Sequence, residues 1–580
     1  MLERLEVTET IEGPHPGYEY VRAVASLGFD PGHPANAGVV DLDLAPRDAG
    51  GLVRAESDVR LLRPRDGGNG RLLVVVPNRG MVMGVPFSLD GDPMRMLGDE
   101  PDAGDAFLLR RGWTVAWIGW QWDVTGAGRL GLRVPAAEVE PGELRIEFRP
   151  DTVQAARPLG DSTLLGAFTD IPTADVEDPG AVLTVRDRPH GGEVVVPREQ
   201  WRFPTATTVE LDGGFQPFRW YTLRYRSTVA PVGGAGLLAF RDVAAHLRRG
   251  HEAAFGYGVS QSGRFLRQFL AEDRNADEDG DQVLDGVLAH IAGARRGEFN
   301  DRYGQPSLTH PMTPAYGPPY DSAALLARTR ASGSTPKLVL TNSASEYWRG
   351  DAGLVSQDPD TGADLPEDPD TRAYLLSGTD HLGRIPIKGQ LPLANPPHEL
   401  DATPLLRALF LRLEAWVCDG VQPPPSRVPR QADGTAVSRE EVLARFSRAA
   451  LPDPDVLPRQ PRIDGTQPAW ALHDAEPLTT LVSAVDDDGN ERAGVRLPAV
   501  QSAAAAFTGW NPRRPVPGLP AVLYEFVGSR LPRQSGRPVP GEAAVEAAAR
   551  AAAGNLVADG LLLPEDVECT VAEALAQSLR

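Results

Sequence analysis

Short, uninterrupted apolar runs alternate with segments of helical period along much of the chain. Leu72 to Val76 (LLVVV), closed by Pro77, offers no position that could face water, the pattern of a strand buried on both faces. Ala106 to Arg111 reads as a helix stopped by Gly112, and Trp113 to Trp120 (WTVAWIGW) as the next buried strand, a βαβ start. The same alternation resumes with Leu237 to Arg249, whose Leu237, Phe240, Val243, Ala244 and Leu247 share one helical face ended by Gly250. Ala253 to Gly258 then predicts a strand, and Phe265, Leu266, Phe269 and Leu270 the buried stripe of a helix. Val287 to Ala292, Lys337 to Thr341 and Ala373 to Leu376 predict further buried strands. Thr403 as N-cap, Pro404 at the first helical position and Gly420 past the end bracket a last core helix. Alternation of this kind predicts a mostly parallel sheet with helices on both faces.

Two stretches break the pattern. Residues 125–236 hold alternating segments such as LRIEFRP and YTLRYRS between Pro, Gly and Asp clusters, which predicts a β-rich insertion dividing an α/β core into residues 1–124 and 237–420. Beyond VQPPPSRVPR, residues 421–580 mix Pro-rich chain with an Ala-rich helix near Glu542 to Gly554. Few segments there could build a core of their own, so a C-terminal extension packed on the main core is expected. No repeat of 20 to 50 residues appears.

Composition narrows the function. In 580 residues, 79 acids against 58 bases give a net charge of −21, a field that repels nucleic acid and anionic membranes. The opening MLERLEVTETIEG lacks the basic flank and apolar run of a signal peptide, and no run approaches a membrane span. A cytoplasmic location is therefore expected. Cys418 and Cys569 are too few for a disulfide framework or a cysteine-built zinc site. Lysine occurs only at Lys337 and Lys388, with arginine elsewhere, a usage that fits a GC-rich bacterial genome. No metalloprotease, P-loop or dinucleotide motif is present, so no cofactor is expected.

The chemistry concentrates in AFGYGVSQSGRFLRQ. A serine at a strained strand-to-helix turn needs small residues two before and two after it, because the backbones nearly touch. Gly258 and Ser262 meet that need around Ser260; around Ser262, the residue two further on is Arg264, which does not fit. A serine nucleophile needs an imidazole, and the imidazole an orienting carboxylate. Of the histidines after Ser260 (His290, His310, His381, His398 and His473), His381 in LLSGTDHLG follows a strand end and a glycine turn. For the acid, Glu346 in NSASEYW follows the strand before that one, with Glu298 and Asp351 as rivals. The oxyanion donors expected are the N–H of Gln261 and one from the loop Asn78-Arg79-Gly80, where Arg79 and Gly80 remain alternatives. The Arg79 side chain is an alternative contact for a substrate carbonyl or carboxylate.

Other features carry lesser expectations. Trp113, Trp117 and Trp120 predict sheet core, whereas Trp122 and Asp123 stand at the strand end as pocket candidates. Phe215, Phe218 and Trp220 of the insertion are expected to touch substrate from a roof over the site. Asn275 to Asp285 alternates acids as a calcium loop does but has Gly286 where the twelfth-position acid belongs, which favours a solvated turn. Arg295 and Arg296 are candidates for an anion anchor or a structural ion pair.

The combination PNRG, GYGVSQSGRFLRQFL, HIAGARRGEFN, TNSASEYW and SGTDH resembles a large bacterial family of α/β-hydrolase-domain proteins, from DLDLAPRD near the start to VDDDGNERAGVRLP and FTGWNP near the end. The resemblance implies the α/β-hydrolase fold and a serine, acid and histidine triad at Ser260, Glu346 and His381. Ser262 departs from the Gly usual at that place in the elbow. The activity expected is cleavage of a small-molecule carboxylic ester through an acyl-enzyme. An amidase, a lyase or a non-catalytic binding protein on the same scaffold is the alternative.

Overall fold

The computed structural model describes residues 1–91, 100–160, 168–189, 192–308, 317–462 and 476–579; the candidates His310 and His473 lie outside these. The apolar runs form one large sheet. Its strands are β1 (Leu2–Glu12), β2 (Tyr18–Phe29), β3 (Val53–Pro64), β4 (Arg71–Val75), β5 (Thr114–Ile118), β6 (Ala253–Val259), β7 (Gly286–His290), β8 (Lys337–Ser343), β9 (Thr371–Ser377) and β10 (Val495–Arg496). They lie in the order β1-β2-β3-β5-β4-β6-β7-β8-β9-β10, with Leu132–Arg133 paired to β3. Pairing is antiparallel from β1 to β5 and parallel from β5 to β10.

Strand alternation feeds two cores. Leu72, Val74, Ala116, Ile118, Val287 and Leu338 point to one face, covered by α1 (Ala235–Arg248) and α2 (Gln261–Ala271). Leu73, Val75, Trp117, Phe255, Leu288 and Val339 point to the other, covered by the helix Thr403–Asp419 and by parts of two C-terminal helices, Glu542–Ala558 and Val567–Ser578. Both faces being apolar is why these strands read as unbroken hydrophobic runs. Residues 136–231 hold a four-stranded and a three-stranded antiparallel sheet around a separate core of Leu144, Ile146, Phe148, Leu223 and Tyr225. Among the described residues no helix is long and apolar enough to cross a membrane.

Two local expectations need correction. Ala106 to Arg111 is not an α-helix: Ala106 sits at φ +56° and only a 3-10 turn, Leu109–Arg111, forms before Gly112 turns left-handed. The cap of the helix at 403 lies one residue earlier than predicted. Ala402 is the N-cap, and the Asp401 carboxylate accepts from the Thr403 N–H at 2.8 Å, so the acid does the work expected of the threonine hydroxyl.

Candidate active site

The turn after β6 is built around close backbone approach. Ser260 holds φ 58° and ψ −112°, a conformation few L-residues adopt, immediately before α2. A Cβ at Gly258 would stand 2.4 Å from the Ser262 carbonyl oxygen and 2.6 Å from its carbon, so glycine is obligatory there. The Ser262 hydroxyl is consumed in the turn, donating to Val259 O at 2.9 Å and accepting from Val259 N at 2.8 Å. Ser262 also lines a cavity of about 190 Å³ with Asn78, Met81, Phe87 and Tyr257, a cavity whose lining does not include Ser260. The Ser260 N–H donates to His290 O at 2.9 Å, which pins the turn to the neighbouring strand.

Glu346 and His381 stand at the same end of the sheet. Glu346 is the third residue of the short helix Ala344–Trp348 after β8; its Oε2 accepts from the Ser343 N–H at 2.7 Å and the Ser343 hydroxyl at 2.6 Å, closing a capping box. Its Oε1 accepts from His381 Nδ1 at 2.7 Å and lies 3.3 Å from Arg349 Nη2. Burial alone would raise the Glu346 pKa, but Arg349, His381 and Ser343 outweigh it and hold the group at about 2. His381 is pushed below the usual imidazole value, first by burial and then by Arg349 and Arg264, against the opposing pull of Glu346. The bond to Glu346 fixes Nδ1 as the protonated nitrogen and leaves Nε2 to accept.

The His381 loop is held on every side. Asp380 binds Lys388 Nζ through both oxygens at 2.7 Å, accepts from Gly383 N at 2.8 Å, and accepts from Gly528 N at 2.9 Å. The Gly378 N–H donates to Glu491 at 2.7 Å, and the Phe526 ring lies 5.0 Å from the imidazole. Glu491, Phe526 and Gly528 come from the C-terminal region, which no local sequence pattern tied to this loop.

The loop after β4 meets the elbow from the other side. Asn78 Nδ2 donates to Val259 O at 2.9 Å, and the Arg79 guanidinium donates to Ser307 O at 3.0 Å and to Asn78 Oδ1 at 3.1 Å. The Gln261 side chain accepts from the Arg79 N–H at 2.9 Å and donates to Gln121 and Pro306. That occupies one of the two N–H groups between which the sequence left a choice. Gly80, at φ +74°, donates its N–H to no group among the described residues. Gln261, as the first residue of α2, has an N–H with no carbonyl of its own helix to meet.

The remaining candidates fall into place around this centre. Trp122 Nε1 donates to Gly304 O at 3.3 Å, and buried Asp123 accepts from Gln121 at 2.6 Å and Ser307 N at 3.0 Å, so both brace the neighbouring loops. Phe215 packs between Phe148 and Tyr221 inside the insertion core rather than over the site. Phe218 and Trp220 are buried too: the Arg513 guanidinium lies over Phe218, the Arg149 guanidinium over Trp220, and Val456 and Val522 complete the cluster. Of the rival acids, Glu298 accepts from Gln305 N at 3.0 Å, while Asp351 pairs with Arg295 at 3.5 Å and Arg349 at 3.6 Å. His290 bonds Thr341 Oγ1 at 2.9 Å and is pushed by burial to about 4, so it is a neutral neighbour of the pair. In the acidic loop, Asn275 spends its amide on Leu284 and Ser334 carbonyls, and Asp277 caps the N–H groups of Asp279 and Asp281.

A comparison with protein families matches residues 195–572 to a family described as an alpha/beta hydrolase domain. The chain belongs to that family. The fold, a large and mostly parallel sheet with helices on both faces, is the one this membership entails, and the activity class is that of a hydrolase. No curated protein matches the chain. Among solved structures, a glucuronoyl esterase from Solibacter usitatus is similar at 10% identity over 59% of this chain and 68% of that one, with a TM-score of 0.23. A CE15 glucuronoyl esterase from Teredinibacter turnerae T7901 is similar at 11% identity over 61% and 65%, TM-score 0.23. An S-formylglutathione hydrolase from Agrobacterium tumefaciens is similar at 6% identity over 64% and 89%, TM-score 0.21. Likenesses this low say nothing about the substrate of this alpha/beta hydrolase.

Proposed function

We propose that this alpha/beta hydrolase cleaves carboxylic esters through an acyl-enzyme on Ser260, with His381 as the proton carrier and Glu346 as its orienting acid. The observation that carries the reading is the 2.7 Å bond from His381 Nδ1 to Glu346, at the same end of the sheet as a serine held at φ 58° at the head of a helix. Ser260 Oγ attacks the ester carbonyl while His381 Nε2 takes its proton. The tetrahedral oxyanion is met by the Gln261 N–H at the positive end of α2 and, from the loop after β4, by the Gly80 N–H. The imidazolium then protonates the departing alkoxide, and water repeats the sequence to release the acid. Glu346 stays ionised throughout, because its neighbours hold its pKa at about 2.

The test is labelling with a fluorophosphonate followed by an ester panel. Ser260→Ala should lose both labelling and hydrolysis. Ser262→Ala should keep labelling, since that hydroxyl serves the turn, while losing about 1 kcal/mol of stability with its hydrogen bonds. Labelling that survives in Ser260→Ala would remove the assignment.

A further inference from the structure

The helix that begins at the elbow carries a buried arginine in its first turn. The Arg264 N–H donates to the Ser260 carbonyl at 2.9 Å, which sets the arginine one turn along α2 from the nucleophile, and helical side chains lean toward the N-terminus. Arg264 therefore leans toward the N-terminal end of α2, where the elbow lies, and it is 3% exposed. No hydrogen bond or ion pair joins its guanidinium to any described residue, and its Nε is a buried donor with nothing to meet.

Its surroundings make that isolation more costly. Arg79, Arg295 and Arg349 are buried in the same neighbourhood, and each repels it. Asp351, the acid that favours its charge, is already shared between Arg295 and Arg349, and Glu346 between His381 and Arg349. Burial and the like charges lower its pKa to about 9, which still leaves it protonated at neutral pH. A buried cation without a counter-ion destabilises a fold, whereas an arriving anion turns the same group into a strong binding contact. A structural arginine would have a partner in the protein. This one has its partner missing beside the proposed nucleophile.

We propose that Arg264 receives a free carboxylate on the substrate, so that the preferred substrates are esters bearing one carboxylate, such as half-esters of dicarboxylic acids. This rests on the serine-hydrolase reading for the position of the scissile bond, but not for the existence of the anion site. A single planar carboxylate matches the guanidinium fork, and a monoanion meets less repulsion than a polyanion from a protein of net charge −21.

Two experiments test it. In the first, kcat/KM is measured by titrating released acid from monomethyl glutarate, monomethyl adipate and O-acetylglycolate, each beside its neutral methyl ester. At least one carboxylate ester should be preferred, and Arg264→Gln should reduce that preference ratio about ten- to a hundredfold, with Arg264→Lys restoring part of it. No preference in the wild type, or an equal loss on charged and neutral esters in Arg264→Gln, would overturn the proposal; the latter would make Arg264 an oxyanion donor instead. In the second, calorimetry follows glutarate binding to Ser260→Ala with and without Arg264→Gln. Affinity should fall by a similar factor while the unfolding temperature holds or rises, because an unpaired buried charge has been removed. Equal affinities would overturn the anion site. Glutarate binding through Arg264 in a protein that neither labels nor hydrolyses any ester would retain the site and remove the serine-hydrolase reading.

Discussion

Glu346 accepts from three donors and faces a guanidinium, so its charge is supported from both oxygens. Replacing it by Gln keeps the size and loses the charge that favours the imidazolium and the working tautomer. The rate should fall by roughly 10² to 10⁴ with a smaller effect on KM. Glu298→Gln should cost far less, since that carboxylate holds the Gln305 N–H rather than His381. Steady-state kinetics on both variants decides; a near-normal rate in Glu346→Gln would move the acid elsewhere. The direction of the His381 shift gives a second expectation. As the proposed general base His381 must be neutral to work, and a lowered pKa keeps it neutral to lower pH. The acid limb of kcat/KM should therefore have its midpoint below the ordinary histidine value of 6.5, and a midpoint above it would contradict this environment.

At the scale of elements, the strand-turn-helix around Ser260 depends on one contact more than on any propensity. A methyl at position 258 would collide with backbone atoms of Ser262, which cannot swing aside as a side chain tip would. Gly258→Ala should abolish fluorophosphonate labelling and cost about 1–3 kcal/mol in denaturant unfolding; unchanged labelling would mean the turn tolerates the shift. This constraint is local, and so it was legible in the sequence: small residues had to flank the serine, and the buried runs of β4, β6, β7, β8 and β9 announced themselves by having no polar face. What stayed illegible is set by distant partners. The segment at 106–111 has helical composition, yet the left-handed Ala106 bends it to close onto the sheet. The antiparallel β1 to β3 carry no unbroken apolar run: β1 is mostly exposed, and β2 and β3 alternate buried positions with charged residues paired across strands, such as Arg63 with Glu19. Arg264 and Arg349 carried no signal either, since an arginine on a helix is ordinarily solvated and only the folded neighbourhood shows these two buried.

Across the whole molecule, three regions meet at the His381 loop. The insertion sends Arg149, buried against Glu525 at 2.9 and 3.0 Å, and Glu525 adjoins the Phe526 that lies by His381. The C-terminal region also adds β10 to the sheet edge and sets Glu491 under Gly378. These long-range closures desolvate two carboxyl groups more than the nearby Arg496 and Arg384 compensate, and this has a consequence for stability against pH. Burial lifts Glu491 to about 7 and Glu573 to about 8, above the ordinary 4.5. Between 4.5 and those values the folded state holds protons that the unfolded chain has released, so stability falls as pH rises through that window. Glu346 acts oppositely, adding stability as pH rises from about 2 to 4.5, where its gain is complete. Among these groups, then, stability should peak near the ordinary carboxylate value and decline toward neutrality. Glu491→Gln can still accept from the Gly378 N–H through its amide oxygen but no longer titrates. The drop in unfolding temperature from about pH 5 to about pH 8 should shrink in this variant by about one to two degrees, the size expected for ~1–2 kcal/mol in a chain this large. Differential scanning calorimetry at the two pH values measures it, and an unchanged drop would show that Glu491 is ionised in the folded protein across the whole range.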